Sequence, residues 1–112
     1  MTPRKLIRNG VIQKLKIEEW TLETNKEELN RLFDLKVKEE LDEIIRSERR
    51  DVYEFADLLQ VAHDYAALNG FSDDDLYKAI DQKLTDKGAF TNAVLISLNP
   101  NNSSSKLYTK DQ

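Results

Sequence analysis

The chain contains no cysteine, which excludes disulfide scaffolds, thiolate metal sites and cysteine nucleophiles together. It has no apolar run approaching the length of a membrane span, and no signal-peptide pattern at its start. The expectation is a soluble cytoplasmic protein with no membrane partner. Positive charge is also short: 17 Lys and Arg stand against 21 Asp and Glu, for a formal net charge of −4. A general nucleic-acid binder needs a basic face to neutralise phosphates, so nucleic acid is not an expected partner. An acidic protein can still take a phosphorylated ligand if a divalent cation supplies the charge.

What is present is helical. The 112 residues suit one domain small enough for a second copy to complete its core. Residues 1–98 read as that domain and 99–112 as a polar, flexible tail. The opening MTPRKLIRNGVIQKLK is a basic, ordered arm with a turn signal at Asn9-Gly10. Asn25 is placed to cap a first main helix carrying Leu29, Phe33, Val37, Leu41 and Ile44 to about Ser47. Asp51 is placed to cap a second, carrying Phe55, Leu58, Val61, Ala62 and Tyr65 and stopped by Asn69-Gly70. Ser72 and Asp75 approximate a capping box for a third, which ends at Lys87-Gly88. The three aspartates at 73–75 read as a solvated cap on that helix. The run AVLISL at 93–98 is a strand or an extended packing segment, and would suit an interface.

The stretch KEELDEIIRSERRDVYEFADLL, residues 38–59, sets acids on faces otherwise built for packing. On a helical wheel with Phe33 at zero, Ile44 lies at about +20°, Glu40 at about −20° and Glu43 about 60° further round. With Leu58 at zero, Tyr65 lies at about −20°, Glu54 at about −40° and Asp57 beside it at the stripe's edge. A carboxylate on a packing face is costly unless paired, hydrogen-bonded or bound to metal. Two readings follow. Either the pairs Glu40/Glu43 and Glu54/Asp57 face each other and converge on a hard cation, Mg²⁺ or Mn²⁺. Or they form inward salt bridges with Lys36, Lys38, Arg46, Arg49 or Arg50.

The order Glu39-Glu40-x-x-Glu43, then Glu54-x-x-Asp57, resembles the EExxE and ExxD signature of the MazG-like all-α nucleotide pyrophosphohydrolases. Lys5-Leu6-Ile7-Arg8 resembles the KLVR start of one small branch, and Glu54-Phe55-Ala56-Asp57-Leu58-Leu59 its E-x-A-D-hydrophobic run. Asn69-Gly70, Lys83 and Lys87-Gly88-Ala89-Phe90 resemble its ending, so the likeness covers about residues 4–98. It departs at Asn9-Gly10-Val11-Ile12, where the branch has Asp-Lys-Ile-Pro.

The resemblance implies an all-α, MazG-like helical bundle with three main helices, completed as a homodimer or homotetramer. It implies hydrolysis of a nucleoside triphosphate, often a noncanonical one, to monophosphate and pyrophosphate in a house-cleaning or nucleotide-pool role. Glu40, Glu43, Glu54 and Asp57 would then ligate Mg²⁺, and Glu39 would be a further ligand or position water. Together Glu39, Glu40 and Glu43 form the catalytic set. Lys5, Arg8, Lys83 and Lys87 are the candidates for phosphate contacts. The competing readings are a related phosphoribosyl-ATP pyrophosphohydrolase and a non-catalytic helical assembly or ligand-binding module. Outside this set, His63 points away from the acids and reads as a surface or interface residue. Asp64, two turns beyond Asp57 on a similar face, reads as a surface group, with ligand contact as the second reading. Trp20 reads as packing.

Overall fold

The computed structural model describes residues 3–98, so the tail assigned to 99–112 lies outside the described residues. Among the described residues the chain is all-helical: α1 Val11–Lys14, α2 Lys26–Arg46, α3 Val52–Leu68 and α4 Asp73–Lys87, with no strand.

Local chemistry sets these boundaries. Asn25 Oδ1 accepts the Glu28 backbone N–H at 2.9 Å, and Glu27 and Glu28 place negative charge in the first turn of α2. Asp51 accepts the Tyr53 N–H at 2.9 Å and starts α3. At the head of α4 the Ser72 N–H donates to Asp75 Oδ2 at 3.0 Å, and the Asp75 N–H donates back to Ser72 Oγ at 3.1 Å. This is a reciprocal capping box.

The C-termini of α1, α2 and α3 share one device. At the end of α2, Glu48 N–H donates to Ile45 O and Arg49 N–H to Ile44 O, each at 3.0 Å. Gly70 and Phe71 do the same to Ala67 O and Ala66 O at the end of α3. Lys16 and Ile17 repeat the pattern after α1. This Schellman arrangement needs a left-handed residue after the cap. Gly70 supplies it at φ +93°, whereas Lys16 at +52° and Glu48 at +57° adopt it as non-glycine residues.

Helices α2 and α3 pack as an antiparallel hairpin. Asn30 meets Asn69, Asp34 meets Tyr65 and Glu40 meets Asp57, so positions rising along α2 fall along α3. Phe33 and Tyr65 stack at the seam, with centroids 5.2 Å apart and planes 12° off parallel. Among the described residues Leu32 and Ile44 are the buried apolar ones, each 4% exposed. The arm is tied to this hairpin by Lys5 to Glu39 at 2.9 Å and Arg8 to Asp57 at 2.6 Å. Trp20, expected to pack, is half exposed and lines a cavity together with Leu29 and Leu32.

Leu41 and Phe55 of the expected apolar stripes remain exposed, as do their neighbours Ile45 on α2 and Leu59 on α3. By helical geometry they lie on the side of the hairpin opposite the acids, at about +60° to +120° on the wheels described above. A two-helix hairpin has one seam and can bury only the residues that face it.

Two compact units are distinguished, Met1–Lys78 and Ala79–Gln112, with the boundary inside α4. In the first, His63 is half-buried. It joins Asp73 through Nδ1 at 3.0 Å and the Tyr77 hydroxyl through Nε2 at 3.1 Å, fastening the first turn of α4 to α3. In the second, α4 continues to Lys87 and ends where Gly88, at φ +77°, donates its N–H to Leu84 O at 2.9 Å. Beyond it, Ala93 N–H closes a turn onto Phe90 O. The strand reading of 93–98 is corrected: the segment has no regular structure, and Val94, Leu95 and Leu98 are largely exposed. No strand is present among the described residues to satisfy its backbone groups in a ladder.

Candidate functional site

The hairpin brings three of the predicted acids together. One carboxylate oxygen from each of Glu40, Glu54 and Asp57 lies within 4.8 Å of the other two. Glu40 comes from the middle of α2 and is 7% exposed; Glu54 and Asp57 come from the first turns of α3 and are half-buried. Glu54 and Asp57 are one turn apart and so share a face. The antiparallel register then sets Glu40 opposite them.

The surrounding charges divide unevenly. Lys36 Nζ approaches Glu40 Oε1 at 3.4 Å, and Arg8 reaches Asp57 Oδ1 at 2.6 Å. Glu54 feels mainly like charge. Burial first, then repulsion from Asp51, Asp57, Glu43 and Glu40, pushes its carboxyl above the usual range. Glu39 behaves in the opposite way. Burial raises its carboxyl, but hydrogen bonds from Lys5 and Lys36 outweigh that and hold it below the ordinary value.

Glu43 stands outside the triad. It contributes to the field on Glu54, but its side chain pairs with Arg46 at 2.8 Å. Glu39 likewise faces Lys5 at 2.9 Å and Lys36 at 3.1 Å instead of joining the triad. Of the two expected pairs, Glu40, Glu54 and Asp57 converge, with Glu40 also paired to Lys36 and Asp57 to Arg8, while Glu43 makes an exposed ion pair with Arg46. Lys5 and Arg8, expected at phosphates, bind carboxylates here. Lys83 and Lys87 are exposed residues of α4 within the second unit.

Two of the three acids, Glu40 and Asp57, line a cavity of about 650 Å³ in the first unit. Helix α2 contributes Phe33, Lys36 and Glu40 to its wall, and α3 contributes Asp57, Gln60 and Asp64. Arg8 closes it from the arm. Gln60 went unnoticed in the sequence, although its place one turn after Asp57 puts it on the same wall.

This donor set fits a divalent cation. It is all oxygen, as hard cations prefer, and repulsion already displaces the Glu54 carboxyl in the direction that a cation would relieve.

The chain matches no protein-family model, no curated protein and no solved structure. No helix among those described is long and apolar enough to cross a membrane.

Proposed function

We propose that the chain is a Mg²⁺-dependent nucleoside triphosphate pyrophosphohydrolase of the MazG-like type, acting in the cytoplasm on the nucleotide pool. Mn²⁺ is the alternative ion. The observation that carries this reading is the convergence of Glu40, Glu54 and Asp57 within 4.8 Å of one another, with Glu40 and Asp57 on the wall of a cavity that also presents Lys36 and Arg8. Carboxylates for a cation beside cations for phosphate are the two halves of a nucleotide triphosphate site.

Glu40, Glu54 and Asp57 would hold the ion. When bound, it neutralises phosphate charge and makes water more acidic. Arg8 and Lys36 lie where phosphate oxygens would take over the contacts now made by Asp57 and Glu40. Glu39, kept ionised by Lys5 and Lys36, is the candidate to orient the attacking water. In the reaction a bond forms between water oxygen and the α-phosphorus, and the α–β bridging P–O bond breaks. Monophosphate and pyrophosphate are the products.

The protein acts as a homodimer or homotetramer in this reading. Support comes from Leu41, Ile45, Phe55 and Leu59, which leave an apolar face of the hairpin exposed opposite the acids.

A panel of nucleotides incubated with Mg²⁺, with pyrophosphate and orthophosphate both measured, tests the proposal. Pyrophosphate release that is lost in Glu40→Gln and Asp57→Asn is expected; no cleavage of any nucleotide refutes it. One observation favours the second reading, a non-catalytic ligand-binding module. Ion pairs to Lys36 and Arg8 already satisfy Glu40 and Asp57 without a cation. Nucleotide binding without cleavage would decide for it.

A further inference from the structure

The cavity is longer than the triad. On α3, Asp57 is followed on the same wall by Gln60 and Asp64, and seven residues of helix carry Asp64 about 10 Å along the axis from Asp57. On α2, Phe33 lies the same number of residues before Glu40, so in the antiparallel hairpin Phe33 belongs to the Asp64 end. The base of a nucleotide lies beyond its phosphates, so a ligand held by its phosphates at the triad can extend along this wall towards Phe33 and Asp64.

The chemistry of this end differs from that of the triad. One face of Phe33 is covered by Tyr65, and Tyr65 does not line the cavity. What Phe33 gives the cavity is its remaining face and edge, an apolar surface held in place by the stack. Gln60 Nε2 donates to Asp64 Oδ1 at 3.1 Å. That bond orients the Asp64 carboxylate and leaves its second oxygen as an acceptor with negative charge.

Resting on the hydrolase reading for the position of the phosphates, the geometry points to Phe33, Gln60 and Asp64 as a base-binding subsite. It selects nucleobases that carry an exocyclic amine over their deaminated counterparts. The base lies against Phe33, and its amine donates to Asp64. Guanine, adenine and cytosine present such an amine. Uracil and hypoxanthine place a carbonyl oxygen where cytosine and adenine have it, and two acceptors then face each other without a proton between them. Gln60 is the positioning residue: its amide holds the carboxylate, and its free N–H and carbonyl tolerate either pattern on the neighbouring ring atom.

Equilibrium binding of matched pairs, dCTP against dUTP and ATP against ITP, tests this with the full chain in Ca²⁺ and in Mg²⁺. The amino member of each pair should bind about tenfold tighter or more, the yield of a hydrogen bond to a charged acceptor. Asp64→Asn should reduce that ratio to near one, while the Mg²⁺ affinity of the chain alone stays unchanged. Phe33→Leu should weaken all four nucleotides and keep the ratio. Equal binding within the pairs, preference for the deaminated members, a ratio indifferent to Asp64→Asn, or no binding by any of the four overturns the subsite. Pyrophosphate release is scored separately. An amine preference in binding without hydrolysis removes the hydrolase reading and leaves the subsite, and hydrolysis without preference does the reverse.

Discussion

Arg8 Nη2 sits 2.6 Å from Asp57 Oδ1, so a guanidinium from the arm holds an oxygen of the acidic triad. A cation bound by Glu40, Glu54 and Asp57 has to compete with Arg8 for that carboxylate. Both partners are substantially exposed, and a pair of this kind is worth roughly 0.2–1 kcal/mol. Arg8→Ala should therefore raise the affinity of the chain alone for Mg²⁺ or Mn²⁺, by up to about fivefold. Nucleotide affinity should fall in the same variant, because the arm loses its phosphate contact. Calorimetric titration of metal and then nucleotide reads both changes, and unchanged or weaker metal binding would show that Arg8 and the cation do not compete.

Glu54 and Glu39 make opposite pH predictions. Burial and neighbouring acids raise the Glu54 carboxyl in the folded chain, so its protonated form favours the fold. Its contribution therefore improves as pH falls through the carboxylate range and worsens above it. The Glu39 carboxyl is lowered, so its contribution is full above the unfolded value and is lost on acidification. Glu54→Gln should raise the melting temperature of the metal-free chain at pH 7, yet remove the further rise produced by Mg²⁺. Melting curves at pH 7 and pH 5, with and without Mg²⁺, separate these effects. A destabilised Glu54→Gln chain that still responds to Mg²⁺ would remove Glu54 from the site.

The helices were legible because their signals are local. Asn25, Asp51 and the Ser72/Asp75 pair announce helix starts through side chains that reach their own backbone. Gly70 and Gly88 announce two ends through positive φ. The end of α2 at Ser47 was also legible, although Glu48 beyond it adopts φ +57° without being glycine and nothing in its identity signals that. For the site, wheel angles identified Glu40, Glu54 and Asp57, because burial of an acid is a property of one helix face. They failed to separate Glu43 from the triad. Its partner Arg46 is one turn away on the same helix, and that pair competes with convergence across the seam. The assignment of Lys5 and Arg8 to carboxylates depends on how the arm folds back, over 34 and 49 positions, which no local pattern encodes.

The shared helix ending gives a paired test of backbone strain. A non-glycine residue in the left-handed region pays roughly 1 kcal/mol or more. Glu48→Gly should relieve that and stabilise the chain by up to about 1 kcal/mol, after the larger entropy of an unfolded glycine is deducted. Gly70→Ala should cost about 1 kcal/mol, and the cause is backbone alone, because a Cβ there meets nothing within 4 Å. Urea denaturation of both variants measures the two signs. A stabilised Gly70→Ala chain would show that the ending of α3 is not held in the left-handed conformation.

The exposed face of the hairpin predicts assembly. Leu41, Ile45, Phe55 and Leu59 are each about half exposed, and a small hairpin with Leu32 and Ile44 as its buried apolar residues has little core without a second copy. In a two-fold interface the same patch meets itself, so one substitution is counted twice. Leu59→Glu keeps a good helix former on α3 while adding a charge to that patch. Leu59 is about half exposed in the single chain, so its further burial is worth roughly half of the 1.5–3 kcal/mol of a full burial in each copy, and its loss should weaken association at least about tenfold. Light scattering on a size-exclusion column should find the unsubstituted chain at two or four times the monomer mass, and Leu59→Glu shifted towards the monomer. Circular dichroism should confirm that helix content is retained at high protein concentration. A monomeric parent chain, or an oligomer indifferent to Leu59→Glu, would mean that this face is not the interface between copies.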